Sequence, residues 1–246
     1  MPVHGVPPGP ACDHALLEAA RNNAEWCDAM CLAHDIRGVF APHAWTAPVR
    51  TPPYYPDAVT LSPDATERDV LDAIDQGPGA SVKDSFATLD LRPSGFEVLF
   101  EAQWIHRPAP ERAPGDVAEW DVVRDAATLR AWESACFDGA AGTRLFRPPL
   151  LTRQDVAVLS GHRDGEIVYG SVLNLSGRVA GLSNLFARDG DDDAAWTGTL
   201  AMAAELFPGR PLVGYEVDVD PARRHGFVVA GPLRVWLKAP GAVPTR

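Results

Sequence analysis

The chain has 246 residues, of which 46% are apolar and 22% charged, with 22 Lys+Arg against 33 Asp+Glu for a net charge of −11. These proportions are those of a folded globular protein and exclude extensive disorder; the length suits one large domain or two small ones. A surface this acidic repels phosphate backbones, so nucleic acid is not an expected partner.

No apolar run approaches the ~20 residues of a bilayer span, so no membrane association is expected. Residues Met1 to Pro10 carry neither the basic nor the apolar segment of a secretory leader and read as a loose Pro/Gly-rich tail. The four cysteines, Cys12, Cys27, Cys31 and Cys136, are too few for a disulfide framework, and a reducing, cytoplasmic setting is expected.

Cys12 to His34 reads as one long helix. Cys27, Cys31 and His34 share a stripe of it, but no CxxC pair accompanies them, so they are expected in the core with no metal. Asn22, Asn23 and Trp26 cluster on the same helix. Adjacent asparagines are poor helix formers, so they are expected to bond a neighbouring loop or a ligand. Pro42 to Pro56 is irregular and aromatic, with Trp45, Tyr54 and Tyr55. Thr66 to Ile74 reads as a second helix. Ser81 to Ser85 is a short strand whose Lys83 and Asp84 either line a cleft or form a surface ion pair. Ser94-Gly95-Phe96 leads into a strand from Glu97 to Ile105. Arg107 to Asp116, with three prolines and a glycine, reads as a linker dividing the chain into 11–106 and 117–240.

The second segment is more regular. Glu119 to Val123 is a strand and Ala126 to Phe137 a helix, followed by the loop Asp138 to Gly142. Val156 to Ser160, Glu166 to Leu175 and Arg178 to Ala187 form a meander, its turns marked by Asp164-Gly165 and Ser176-Gly177. An acidic loop, Arg188 to Asp193, opens a helix from about Ala194 to Phe207, with Asp193 as its expected cap. Leu212 to Val217 is a strand and Pro221 to His225 a short helix. Phe227 to Lys238 completes the sheet with a possible bend at Gly231-Pro232, and from Pro240 the chain is a loose end.

That order of elements over about Ala118 to Lys238, with Gly226-Phe227 after the short helix, resembles the GNAT acyltransferases. Ser81 to Ser85 followed by Gly95-Phe96 and a strand repeats the order of Pro211 to Tyr215 followed by Gly226-Phe227 and a strand. The expected fold class is therefore α/β, a GNAT-like mixed sheet flanked by helices and built as a tandem pseudo-repeat. The half at 11–106 is degenerate and the domain at 117–240 fuller.

The resemblance implies an acetyl-CoA or other acyl-CoA site. Its pantetheine arm would lie along Leu185, Phe186 and Ala187, between the splayed strands Val179 to Ala187 and Leu212 to Val217. Its pyrophosphate would lie on a loop from Arg188 to the helix start at Ala195 and Trp196. Helix N-termini and glycine-rich turns suit phosphates. Here Asp191, Asp192 and Asp193 stand where the family has glycines. Either they turn outward, or the loop no longer takes a pyrophosphate; Arg188 and Arg210 offset them only by folding back. The family's tyrosine acid is also missing from the short helix, leaving His225 as its nearest titratable group.

Glu216 is the candidate base, beside Tyr215, the two pointing to opposite faces of their strand. The competing reading pairs Glu216 with an arginine such as Arg234. Ser183 and Asn184 are placed to orient a carbonyl. The expected substrate cleft lies between the halves, near Trp26, Tyr54 or Tyr55, Asn184, Tyr215 and Glu216, and an acidic cleft would suit a cationic amine. The implied function is acyl transfer to a small amine or related metabolite. The alternatives are a repurposed scaffold that binds a ligand or protein without CoA, or catalysis with an acyl group borne by an acyl carrier protein.

Overall fold

The computed structural model describes residues 10–109, 119–137 and 144–239. The N-terminal tail before Pro10, most of the expected linker, the loop 138–142 and the end from Pro240 lie outside the described residues.

The first segment contains α1 (Pro10–Ala33), β1 (Val39–Phe40), β2 (Ala44–Thr46), β3 (Ala58–Thr60), α2 (Glu67–Leu71), β4 (Ser81–Asp84) and β5 (Phe96–Arg107). The second contains β6 (Trp120–Val122), α3 (Ala126–Cys136), β7 (Val156–Arg163), β8 (Glu166–Ser176), β9 (Val179–Ala187), α4 (Asp192–Leu206), β10 (Leu212–Glu216), α5 (Asp220–Arg224) and β11 (Val228–Lys238). Three readings change. The Pro-rich stretch 42–56 holds a strand, β2, whose residues are all buried. The second helix is shorter than its sequence suggested. β11 is a single strand that absorbs its irregularity as a register shift between Val229 and Gly231.

Among the described residues the strands form one sheet, in the order β1-β2-β3-β4-β11-β5-β10-β9-β8-β7-β6. The order reads alike outward from the central antiparallel pair β5–β11. Each side meets first an antiparallel neighbour (β10 or β4), then a parallel one (β9 or β3), then an antiparallel one (β8 or β2). Strands from both segments therefore interleave. β5 lies between β10 and β11, and β11 lies between β5 and β4.

Local chemistry explains the best-defined elements. Asp164 and Gly165 have φ of 52° and 81°, the left-handed pair that a two-residue hairpin needs to match strand twist. Asp125 caps α3 by accepting from the N–H groups of Ala127 and Thr128. Strand alternation then sends side chains to two cores. Val158 and Val172 meet α1 and α3 on one face; Leu159 and Leu173 meet α4 and α5 on the other.

Helix α1 crosses the middle of the sheet, and small residues let it approach closely, with Ala19, Ala20 and Ala24 fully buried. Asn22 fixes its height. Its amide donates to the Asn174 carbonyl (3.0 Å), and the Asn174 amide donates back to the Asn22 carbonyl (3.3 Å). A Cβ at Gly181 would collide with both asparagine side chains, so only glycine fits that strand position.

Candidate functional site

β9 and β10 run parallel and pair at Ala180↔Leu212 and Gly181↔Val213. Beyond those rungs each follows its outer partner, β9 along β8 to Ala187↔Tyr169 and β10 along β5 to Glu216↔Gln103. A bulge helps them part. The β8–β9 register slips between Val172↔Ser183 and Gly170↔Phe186, and Asn184 takes φ 53°. Asparagine tolerates that left-handed conformation better than most residues.

A cavity of about 350 Å³ opens in this fork. One wall is the β9 edge, Leu182 to Leu185. The other is Tyr215 and Glu216 of β10, which both line this space although they are neighbours on one strand. Trp26 of α1, the Tyr54–Pro56 loop and Lys83 of β4 close it from the first segment. Most of the expected cleft residues are thus brought together, namely Trp26, Tyr54, Tyr55, Lys83, Asn184, Leu185, Tyr215 and Glu216. Asn23, Phe137 and Leu145 line it too. Asn23 had a signal in its adjacency to Asn22; Phe137 and Leu145 flank a loop and had none.

Two polar groups of this cavity are unused by the fold. The Glu216 side chain makes no hydrogen bond or ion pair with any described residue, and Arg234 instead pairs with Glu101 (2.7 Å). Burial, reinforced by the Asp218 carboxylate, pushes the Glu216 carboxyl up to about 7. That value poises it to exchange protons near neutral pH. The Ser183 hydroxyl is buried with no partner among the described residues, a condition rare for groups that serve only the fold.

Aromatic rings shape the remainder. Tyr55 meets Trp26 edge-on at 6.2 Å, and burial holds its hydroxyl well above the usual tyrosine range. Tyr54 is 79% exposed, has φ 71° and stacks on Phe137 at 5.7 Å. Lys83 is only 5% exposed; its Nζ donates to Asn23 Oδ1 (2.9 Å) and lies 4.2 Å from the Tyr215 ring centre.

The other expected site residues lie elsewhere. Asn22 is committed to Asn174. Asp84 is fully buried, accepting from the N–H groups of Leu89 (2.8 Å) and Phe86 (3.4 Å). Phe186 packs edge-on against Trp132, and Ala195 and Trp196 are buried residues of α4 itself, away from the fork. His225 stacks on Trp196 at 5.7 Å with its Nε2 3.0 Å from Asp193 Oδ1, outside the fork cavity. Cys27 and Cys31 are buried in a core with Trp45. Burial pushes the Cys27 thiol up to about 11 and Cys31 higher still, so both are neutral. His34 Nε2 lies 2.7 Å from the Leu145 carbonyl. Among the described residues no group of three metal-ligating side chains comes together.

The start of α4 is closed by its own loop. The cap is Asp191, not Asp193, and its carboxylate accepts from Ala194 N–H (3.0 Å). Asp189 accepts from Asp191 N–H (3.0 Å) and the Tyr169 hydroxyl (2.8 Å), and pairs with Arg163. The bond from Asp191 N–H, followed by that from Tyr169, holds the Asp189 carboxyl below its ordinary range. Asp193 pairs with His225 and Arg224 (3.3 Å). Arg188 and Arg210 do not fold back: Arg188 lines a groove beside α3, and Arg210 donates to the Gly177 carbonyl (3.3 Å).

No family model and no curated protein matches the sequence. Solved structures do. A GCN5-related N-acetyltransferase from Kribbella flavida superposes with a TM-score of 0.60 at 15% identity, over 89% of this chain and 95% of that one. A GNAT-family protein from Novosphingobium aromaticivorans gives 0.60 at 13% identity, over 92% and 100%. A Drosophila protein gives 0.51 at 14% identity, over 94% and 97%. The chain has the GNAT fold, and the likeness spans both segments.

Proposed function

We propose that this chain transfers an acyl group to a small amine in the fork between β9 and β10. The observation that carries the reading is Glu216, a carboxylate with no partner among the described residues, raised to about 7 at the mouth of an open strand edge. The interleaved, symmetric strand order supports a companion reading. Segments 11–106 and 117–240 are a degenerate and a fuller GNAT-like half that have exchanged strands.

Of acyl-CoA, the donor the fold implies, one part suits these residues and one does not. The β9 edge from Leu182 to Leu185 borders the fork cavity of about 350 Å³, where a pantetheine arm would lie. The pyrophosphate position is unsuitable, because the Ala194 N–H is taken by Asp191 and further carboxylates surround it. At an effective dielectric near 20, one like-charge pair at 4 Å costs roughly 4 kcal/mol before screening, more than the ~0.3–2 kcal/mol a helix end returns. The closed helix end favours a donor whose phosphates stay outside, such as a pantetheine arm borne by a carrier protein.

The donor supplies a thioester carbon. The chain's part is to hold the amine against that carbon and to take its proton on a Glu216 carboxylate oxygen as the C–N bond forms. The C–S bond breaks, and the thiolate draws a proton from water, since His225 lies outside the cavity. Calorimetry with acetyl-CoA, CoA and pantetheine, followed by mass spectrometry of S-acetylpantetheine incubated with a panel of amines, tests this. Pantetheine is expected to bind at least as tightly as CoA and to give an acetylated amine. No heat from any of the three and no product would overturn the reading in favour of a repurposed scaffold.

A further inference from the structure

A second cavity, of about 660 Å³, adjoins the fork. The two share Tyr54, Tyr55, Pro56, Lys83 and Tyr215. The second is mostly apolar, with Pro52, Pro53, Leu99, Phe100, Val235 and Leu237 in its wall. Its charged lining residues are Arg50 and Lys83, both cationic, in a chain whose net charge is −11.

The two cations differ. Arg50 pairs with Asp57 and lies 3.8 Å from Asp75, so its charge is met within the fold. Lys83 has no carboxylate partner among the described residues. Its Nζ has one amide oxygen, from Asn23, and the face of Tyr215. The Cys27 thiol nearby is held neutral by burial. A buried ammonium without an anion is costly, and the cost is recovered if a ligand brings the anion. Lys83 stands at the junction of the two cavities, with Glu216 in the lining of the first and apolar wall in the second.

We propose that Lys83 binds the carboxylate of the acceptor, whose apolar body fills the second cavity, making the acceptor class an apolar amino acid or a similar amino carboxylate. The amine end of that assignment rests on the acyl-transfer reading; the carboxylate end rests on Lys83 and the cavity alone. The two charged groups of the fork, Lys83 and Glu216, would orient such a zwitterion, anion on one and amine toward the other.

The test is calorimetry on the full chain without any acyl donor, using phenylalanine, leucine and their amides as probes. The acids are expected to bind about ten- to a hundredfold more tightly than the amides, the range of one charged hydrogen bond. Lys83→Met is expected to lose that preference without a fall in melting temperature, since it removes a buried charge that no anion of the fold meets. The comparison of acid with amide in the unaltered protein decides the matter even if the variant does not fold. Equal binding of acid and amide, or no binding of either acid, overturns the proposal. Preference for the acids with no transfer from any donor would sink acyl transfer and leave the anion site standing. Transfer to amides as fast as to acids would do the reverse.

Discussion

The sheet contains two parallel strand pairs that begin alike and end differently. β3 and β4 pair at Ala58↔Val82 and Val59↔Lys83, as β9 and β10 pair over two rungs. Past its last rung the first pair is stitched. Thr60 Oγ1 accepts from Ser85 N–H at 2.7 Å, the Asp84 carboxylate accepts from Leu89 and Phe86, and Thr60, Asp84 and Ser85 are all 0% exposed. The second pair is left open by the bulge at Asn184, with Ser183 and Glu216 unpartnered in the gap. A buried polar group kept from the fold's own hydrogen bonds costs stability. Each fork keeps one buried serine hydroxyl without a partner among the described residues, Ser85 in the first and Ser183 in the second, but only the second adds an unpartnered carboxylate, Glu216, beside an open cavity.

The largest expected effect is on the open fork. Glu216→Gln should lower turnover about 10²–10⁴-fold, the usual contribution of a general base. On the acyl-transfer reading, the rate in the unaltered protein should climb as pH rises through about 7, where Glu216 loses its proton, and the variant should lack that limb in a pH-rate profile. The same substitution should change stability in the opposite sense. The folded carboxyl titrates at about 7 against an ordinary 4.5, so the folded chain holds a proton that the unfolded chain releases between those values. Stability therefore falls as pH rises across that window and stays lower above it, by about 3 kcal/mol at most. Urea melts at pH 5 and pH 8 should show the Gln variant gaining on the parent at the higher pH.

An intermediate effect belongs to the stitched fork. Thr60→Val removes the acceptor for Ser85 N–H and should cost about 1–3 kcal/mol in a urea melt, with the transfer rate unchanged. A matching loss of transfer would mean the two forks are coupled. The smallest effect concerns the helix start. Asp191→Ala should cost about 0.5–2 kcal/mol as a lost cap, while freeing the Ala194 N–H. CoA should then bind more tightly relative to pantetheine than it does to the parent, and an unchanged ratio would remove the cap as the reason for a poor pyrophosphate site.

Local signals carried much of this into the sequence. The meander β7–β9 is legible because Asp164-Gly165 and Ser176-Gly177 specify tight turns, and Glu216 stood out as a carboxylate on a strand beside a predicted splay. What was not legible depends on contacts distant in sequence. Nothing around Phe96 to Arg107 announces that β5 will lie between β10 and β11. Nor does Ser81 to Asp84 announce that Lys83 will face α1 without a carboxylate. The helix cap was misplaced by two residues because Asp189, Asp191, Asp192 and Asp193 are alike in propensity, and only the hydrogen bond from Ala194 N–H tells them apart.

The interleaving of β5 and β11 also governs how the chain is made. β5 ends at Arg107, and its first partner, β10, begins at Leu212. At roughly 5–20 residues per second of synthesis, β5 waits on the order of 5–20 s on the ribosome before a neighbour exists, and longer for β11. Throughout that interval a twelve-residue strand holding Phe96, Phe100, Trp104 and Ile105 has both hydrogen-bonding edges bare, the condition under which strands pair with the wrong chain. The interleaved strand order thus places its burden on the nascent protein, whose β5 edges lack partners until β10 and β11 are made.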